Sequence, residues 1–300
     1  MKHVISVSLG SSKRNHSVEA EILGEKFRIE RVGTDGDMNK AIAMIRELDG
    51  KVDAFGMGGI DLYICCGNRR YILRDAKKIA AAAQKTPIVD GSGLKNTLER
   101  KVVEYLIRKQ GMVFQGKKVL LVSAVDRFGL AEALEDAGAE LVMGDLIFAL
   151  GIPIPIKSLR TLDKIARVIA PIISQLPFEM LYPTGSKQEE HKPKYEKYYL
   201  DAEIIAGDFH FIRRYMPQSL EGKVILTNTV TKDDVELLRN RGVSMLITTT
   251  PELQGRSFGT NVMEGVLVSL LGKPVGEISS RDYEDLLDKV GFEPRIEKLA

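Results

Sequence analysis

Several short stretches of this chain hold residues whose types and spacing could do chemistry. One is Asp90-Gly91-Ser92-Gly93-Leu94-Lys95-Asn96, an acid followed by a glycine-rich turn and then a lysine and an amide at the start of a helix. A carboxylate so placed can orient a substrate hydroxyl, Lys95 can exchange its proton, and Asn96 can contact the substrate. A second stretch, Ser123-Ala124-Val125-Asp126-Arg127-Phe128-Gly129, follows the apolar run Val119–Val122. A dinucleotide site has G-x-G-x-x-G at such a turn, so that pyrophosphate rests on backbone N–H groups at a helix N-terminus. Here Gly129 is the surviving glycine, and Arg127 is placed to offset Asp126. Asp145 follows Leu141–Met143 about twenty residues on, where an acid can accept from ribose hydroxyls. Such an acid disfavours a 2′-phosphate, so the expected cofactor is NAD rather than NADP.

Three further polar stretches follow successive apolar runs: Gly207-Asp208-Phe209-His210, Thr227-Asn228-Thr229 and Thr248-Thr249-Thr250-Pro251. Open α/β sheets bind ligands at the C-terminal ends of their strands, so Gly207 and Asn228 are candidates to line a cofactor site. Short polar residues there serve equally well as helix caps. His210 is a candidate general acid or base, with a structural role as the alternative. Earlier in the chain, Gly58 and Gly59 in Phe55-Gly56-Met57-Gly58-Gly59-Ile60-Asp61 permit close backbone approach to a substrate. Arg69 beyond them could face an anionic ligand, or simply lie in a solvated turn. Arg256, before the helix that begins near Asn261, could hold a carboxylate in bidentate fashion.

Regular elements must position these residues. Val4–Leu9 and Ala20–Val32, separated by the polar Ser11–Asn15, read as a hairpin. Met38–Leu48 has helical periodicity, Val52–Gly56 reads as a buried strand, Asp75–Ala83 as a helix and Thr86–Val89 as a short strand. Leu94, Leu98, Val102 and Leu106 recur every four residues and form one helix stripe. From Gly116 onward, apolar runs at Val119–Val122, Leu141–Met143, Met180–Tyr182, Ile204–Ala206, Val224–Leu226 and Met245–Ile247 read as strands. Helical stretches Leu130–Ala137, Leu159–Leu176, Lys232–Arg241 and Asn261–Leu271 fall among them, with Gly138, Gly242 and Gly272 at helix ends. The expected fold is α/β: a Rossmann-like doubly wound parallel sheet with a smaller N-terminal α/β domain. The division expected is 1–92, 93–275 and a C-terminal helical tail over 276–300. The charged segment Gly185–Tyr199 reads as a solvated loop or a mobile lid.

Composition bounds the function. The chain has 300 residues, enough for about two domains of roughly 150 residues, and its 44% apolar content supports sizeable cores. The net charge of +2 comes without a clustered basic arm, which argues against nucleic acid. No stretch reaches the ~18 apolar residues of a membrane span, and no signal pattern opens the chain, so a cytoplasmic protein acting on a small molecule is expected. A homo-oligomer is compatible with this reading. The adjacent Cys65 and Cys66 suit neither a disulfide framework nor a zinc site.

At the joint between its halves the sequence resembles the shikimate/quinate dehydrogenase family. Asp90-Gly91-Ser92-Gly93-Leu94 and Gly116-Lys117-Lys118-Val119-Leu120 stand in the family's order and at similar spacing, and the helix entered by Gly259-Thr260-Asn261 resembles the one by which the family returns to its first domain. The resemblance implies an NAD(P)-dependent oxidoreductase acting on a small hydroxylated carboxylic acid, with Asp90 on the reacting hydroxyl. The family's lysine segment, N-V-T-x-P-x-K, does not occur before Asp90, which leaves Lys95 or His210 to move the proton. The alternative is a non-catalytic metabolite- or nucleotide-binding protein on the same fold.

Overall fold

The computed structural model describes residues 1–66, 69–181, 191–253 and 256–300. In chain order its strands and helices begin with β1 (Lys2–Ser8), β2 (His16–Ile22), β3 (Glu25–Gly33), α1 (Met38–Leu48), β4 (Ala54–Gly58), β5 (Tyr63–Cys66), β6 (Arg69–Ile72), α2 (Arg74–Ala80), β7 (Ile88–Val89) and α3 (Ser92–Gln110). There follow β8 (Lys118–Leu121), α4 (Phe128–Asp136), β9 (Glu140–Met143), α5 (Leu159–Ile173), α6 (Phe178–Leu181), α7 (Glu196–Asp201), β10 (Ile204–Gly207), α8 (Phe209–Tyr215) and β11 (Val224–Thr227). The last are α9 (Lys232–Asn240), β12 (Met245–Thr248), β13 (Glu252–Leu253), β14 (Arg256–Ser257), α10 (Thr260–Leu271), α11 (Ser280–Val290) and β15 (Arg295–Lys298). They form a Rossmann-like α/β fold with two compact units: residues 1–97, 169–188 and 259–292 in the first, and 98–168, 189–258 and 293–300 in the second.

The first unit is built on a sheet of order β2-β3-β1-β4-β7, in which β3, β1, β4 and β7 run parallel. The hairpin expected between the first two apolar runs lies elsewhere. β1 pairs parallel with β3, and the antiparallel partners are β2 and β3. Their two-residue turn is Leu23-Gly24, both with positive φ (52° and 79°), the geometry whose twist suits a tight hairpin. The run Ala20–Val32 therefore breaks in its middle. Ile5, Val7, Leu9, Ile45, Phe55, Met57 and Ile79 are among the residues of the core on this sheet. Helix α10 packs on β1 and β4.

The second unit holds a sheet of order β15-β12-β11-β10-β8-β9. Five of the six expected parallel strands are present, and β15 closes the edge antiparallel to β12. Met180, expected in a strand, lies in the one-turn helix α6, and Tyr182 lies outside the described residues. A short apolar run with no β-branched residue does not by itself distinguish strand from helix. The 276–300 tail, expected to be helical, carries α11 and then β15. Counted in chain order, the parallel strands run 2-1-3-4-5, with the switch point between β8 and β10. Leu120, Ile205, Ile225 and Leu246 are central to the core of this unit. A capping box at Thr231/Asp234 fixes the start of α9, and Asp208 caps α8.

The glycines after Asp90 have a packing explanation. A Cβ on Gly91 would sit 2.8 Å from the Asn261 backbone nitrogen, and one on Gly93 only 2.2 Å from Glu264 Oε1. The turn is thus pressed against the first turns of α10. Alanine in a helix ordinarily gains up to ~1 kcal/mol over glycine. Gly93→Ala should instead lose about 1–3 kcal/mol through overpacking, measured as a lowered urea midpoint at unchanged slope.

Candidate functional site

In the first unit, the ends of β4 and β7 place Gly58, Gly59, Asp61, Asp90, Lys95 and Asn96. The Asp90 carboxylate is buried and accepts three hydrogen bonds: from Leu62 N at 2.6 Å, Ser92 N at 3.0 Å and Ser92 Oγ at 2.6 Å. It holds its own turn together. Lys95, on the first turn of α3, is buried, and its Nζ lies 3.5 Å from Asp61 Oδ1. Asn96 is half-buried on the same helix. Gly58 and Gly59 follow one another at the end of β4, where the Gly58 carbonyl accepts from Leu9 N and a Cβ on Gly58 would meet Ser8. Arg69 is exposed on the β5–β6 hairpin. The side chains of Cys65 and Cys66 lie outside the described residues.

Glu264 of α10, which is 2% exposed, completes this cluster. Its carboxyl accepts from Gly91 N at 2.7 Å and from the Tyr283 hydroxyl of α11 at 2.8 Å. Burial, reinforced by the Asp90 charge, pushes it up to about 7. Gly91 N–H is thereby taken, so the turn is not an open phosphate cradle.

In the second unit, the strand ends are in register: Leu121 is opposite Ala206, Gly207 opposite Thr227, and Thr227 opposite Thr248. Continued by one or two residues, this register makes a row along the sheet edge of Ser123, Asp208, Asn228 and Thr249, at about 4.8 Å per strand. Asn228 Nδ2 donates to Asp208 Oδ2 at 2.8 Å, and Asn228 Oδ1 accepts from Phe209 N at 3.2 Å. Asp208 also accepts from His210 N at 2.9 Å. His210 is half-buried on the first turn of α8. At the two ends of the row, Ser123 Oγ and Thr249 Oγ1 are buried and have no hydrogen-bond partner among the described residues. Gly207 (φ 131°) is packed against Val122.

The turn after β8 differs from the sequence expectation in two ways. Arg127, expected to offset Asp126 beside a phosphate, is 3% exposed. Its Nη1 pairs with Glu99 Oε1, and Nη2 lies 3.5 Å from Asp208 Oδ2. Asp145, expected to face ribose hydroxyls, turns inward. Its carboxylate accepts from Ala124 N (3.0 Å) and Val125 N (2.9 Å). Burial pushes it up to about 6 against the pull of those amides, with Asp126 adding a smaller push in the same direction. Gly129 is buried in α4. The turn offers a pyrophosphate neither amide and presents it with a half-buried carboxylate. The residues here do not fit the dinucleotide that the sequence resemblance implies.

Arg256 has its backbone in β14, while its side chain, like residues 185–190 of the charged segment, lies outside the described residues. Among the described residues, no cluster of three or more His, Cys, Asp or Glu could hold a metal ion, and no helix is long and apolar enough to cross a membrane. Sequence reasoning missed Glu99 and Glu264, and it assigned no role to Asp61 or Asp208 within the candidate stretches that contain them. For Glu264 a signal existed: it is the one charged residue between Thr260 and Leu271 of a mainly apolar helix.

A family model described as a domain of unknown function, DUF8754, matches residues 93–299, more than half of the chain. The chain belongs to the DUF8754 family. Residues 3–90 match a second model with the same kind of description, DUF8753. No curated protein matches the sequence. Among solved structures, the chain is similar to L-tryptophan dehydrogenase from Nostoc punctiforme (11% identity, TM-score 0.38, covering 96% of this chain and 80% of that one). It is also similar to GanP, a glucose-galactose binding protein from Geobacillus stearothermophilus (9%, 0.39, covering 99% and 97%). A third likeness is to the NAD-dependent malic enzyme from Thermotoga maritima (13%, 0.34, covering 96% and 84%). At these values the likenesses bear on neither ligand nor reaction.

Two outcomes test this geometry. Because the carboxyl of Asp145 is raised, its contribution to stability is present below pH ~4 and is lost as pH rises to about 6. Asp145→Asn should therefore gain on the parent protein between pH 4.5 and 7.5, by at most ~3 kcal/mol, in denaturant unfolding at each pH. Arg127→Met should lose roughly 3–5 kcal/mol by taking the guanidinium away from the buried Glu99 carboxylate, and Arg127→Met/Glu99→Leu should recover most of that loss.

Proposed function

We propose that this protein binds a small hydroxylated carboxylic acid at the C-terminal edge of the first unit's sheet and does so without a dinucleotide. The observation that carries the reading is the Asp145 carboxylate on the Ala124 and Val125 amides, the groups a pyrophosphate would need. In the first unit, Asp90 and Asp61 supply acceptors for ligand hydroxyls, and Lys95 supplies a cation for the ligand carboxylate. Quinate and shikimate are the first ligands to try, on the resemblance carried by Asp90-Gly91-Ser92-Gly93-Leu94.

A second reading, an NAD-dependent oxidoreductase acting on the same kind of acid, is favoured by one feature. Lys95 is a buried lysine beside the half-buried carboxylate of Asp61, the equipment for moving a proton to or from a hydroxyl. It stands in for the lysine that the sequence lacks before Asp90.

Calorimetric titration of the full chain separates the two. Quinate or shikimate alone should give heat that Lys95→Met weakens at least tenfold, while NADH and NADPH give none. Micromolar binding of either nucleotide would overturn the first reading and support the second.

A further inference from the structure

The turn that carries Asp90 is held by a carboxyl group with no solvent contact of consequence. Glu264 is buried and bonded to Gly91 N and to the Tyr283 hydroxyl. Asp90, one residue before Gly91, is also buried, with its own carboxylate on Leu62 and Ser92. Two carboxyl groups therefore flank a single peptide unit. Among the described residues, the other charged or titratable groups that act most on Glu264 are Tyr283 from α11 and Arg70 from β6. Arg70 is exposed and lies over the Tyr63 ring. The missing Cβ at Gly93 lets Glu264 Oε1 reach this position.

When Glu264 carries its proton, the turn holds one negative charge, that of Asp90, and both hydrogen bonds to α10 and α11 persist. When Glu264 loses it, two like charges face each other across Gly91 in a buried setting, where water screens them poorly. Ionisation strengthens each single bond that Glu264 accepts, from Gly91 N and from the Tyr283 hydroxyl, but burial and the Asp90 charge outweigh that gain, and opening the turn to water relieves both.

We propose that Glu264 is a proton-dependent positioning residue for the Asp90 turn: protonated, it clamps the turn to α10; deprotonated, it loosens the turn and weakens binding of an anionic ligand there. The ligand half of this inference rests on the reading of the first unit as an acid-binding site; the clamp half does not. The sign follows from the direction of the shift. A carboxyl raised by burial keeps its proton in the folded chain after the unfolded chain has lost it, so the clamp's contribution falls as pH rises from the ordinary carboxylate range to about 7.

Hydrogen exchange of the full chain at pH 6 and pH 8, corrected for the intrinsic rates, reads the clamp directly. Peptides covering residues 88–98 should lose about tenfold in protection at the higher pH, while the β10 peptide around Ile204–Gly207 stays unchanged. Glu264→Gln should abolish the difference. Tyr283→Phe, which removes a donor that favours the charged form, should move the midpoint to higher pH, and it serves as the test if the glutamine variant fails to fold. Equal protection at both pH values, or a difference that persists in Glu264→Gln, would overturn the clamp. Quinate titration at the same two pH values separates the halves. Binding about tenfold weaker at pH 8 supports the coupling. Equal binding at both overturns the coupling alone. No heat at either pH, with exchange as expected, overturns the acid-binding reading and leaves the clamp standing.

Discussion

The turn after β8 depends on a carboxylate supplied by the chain itself. Backbone N–H groups at the C-terminal edge of a parallel sheet point outward without strand partners, and something must satisfy them. In many α/β proteins a ligand phosphate does so. Here Asp145 satisfies Ala124 and Val125, Asp90 satisfies Leu62 and Ser92, and Glu264 satisfies Gly91. The same solution thus recurs in both units. It removes the need for an anion, and it also sets a cost. Asp145 and Glu264 each sit in surroundings that disfavour their charged form. These edges are therefore stable without a ligand but sensitive to protons.

The balance of charge at each edge follows from this. In the second unit the one guanidinium at the switch point, Arg127, is enclosed by Glu99 and Asp208, so it presents no free positive field to an incoming phosphate. What remains there for a ligand is hydrogen bonding: the hydroxyls of Ser123 and Thr249, without a partner among the described residues, at the ends of a row whose middle, Asp208 and Asn228, is already locked. In the first unit the buried Lys95 has its Nζ 3.5 Å from the half-buried Asp61, which puts a cation and an acceptor side by side at the strand ends. That contrast, more than any motif, separates the two edges chemically.

Much of the fold was legible because periodicity reports burial. Met38–Leu48 is helical over the span expected, and Ile204–Ala206, Val224–Leu226 and Met245–Ile247 are strands because short β-branched runs between turn residues have few other outcomes. Met180–Tyr182 lacked that chemistry and was misread. The site was less legible because spacing does not say which way a side chain points. Asp145 stands where a ribose-binding acid would stand, yet local backbone donors claim it first. The glycines at Gly91 and Gly93 signalled close approach correctly, but what approaches is α10, whose Glu264 lies 173 residues from Gly91 in sequence, a partner no local pattern names.

Neither unit is contiguous in the chain. The first begins at residue 1 but includes α10 and α11, and the second closes only when β15 pairs with β12. During synthesis at 5–20 residues per second, roughly ten to forty seconds separate the emergence of the first unit's initial sheet from that of the helix that covers it. Over that interval the apolar faces of β1 and β4 lack their α10 cover, so the nascent chain exposes apolar surface that the finished molecule buries.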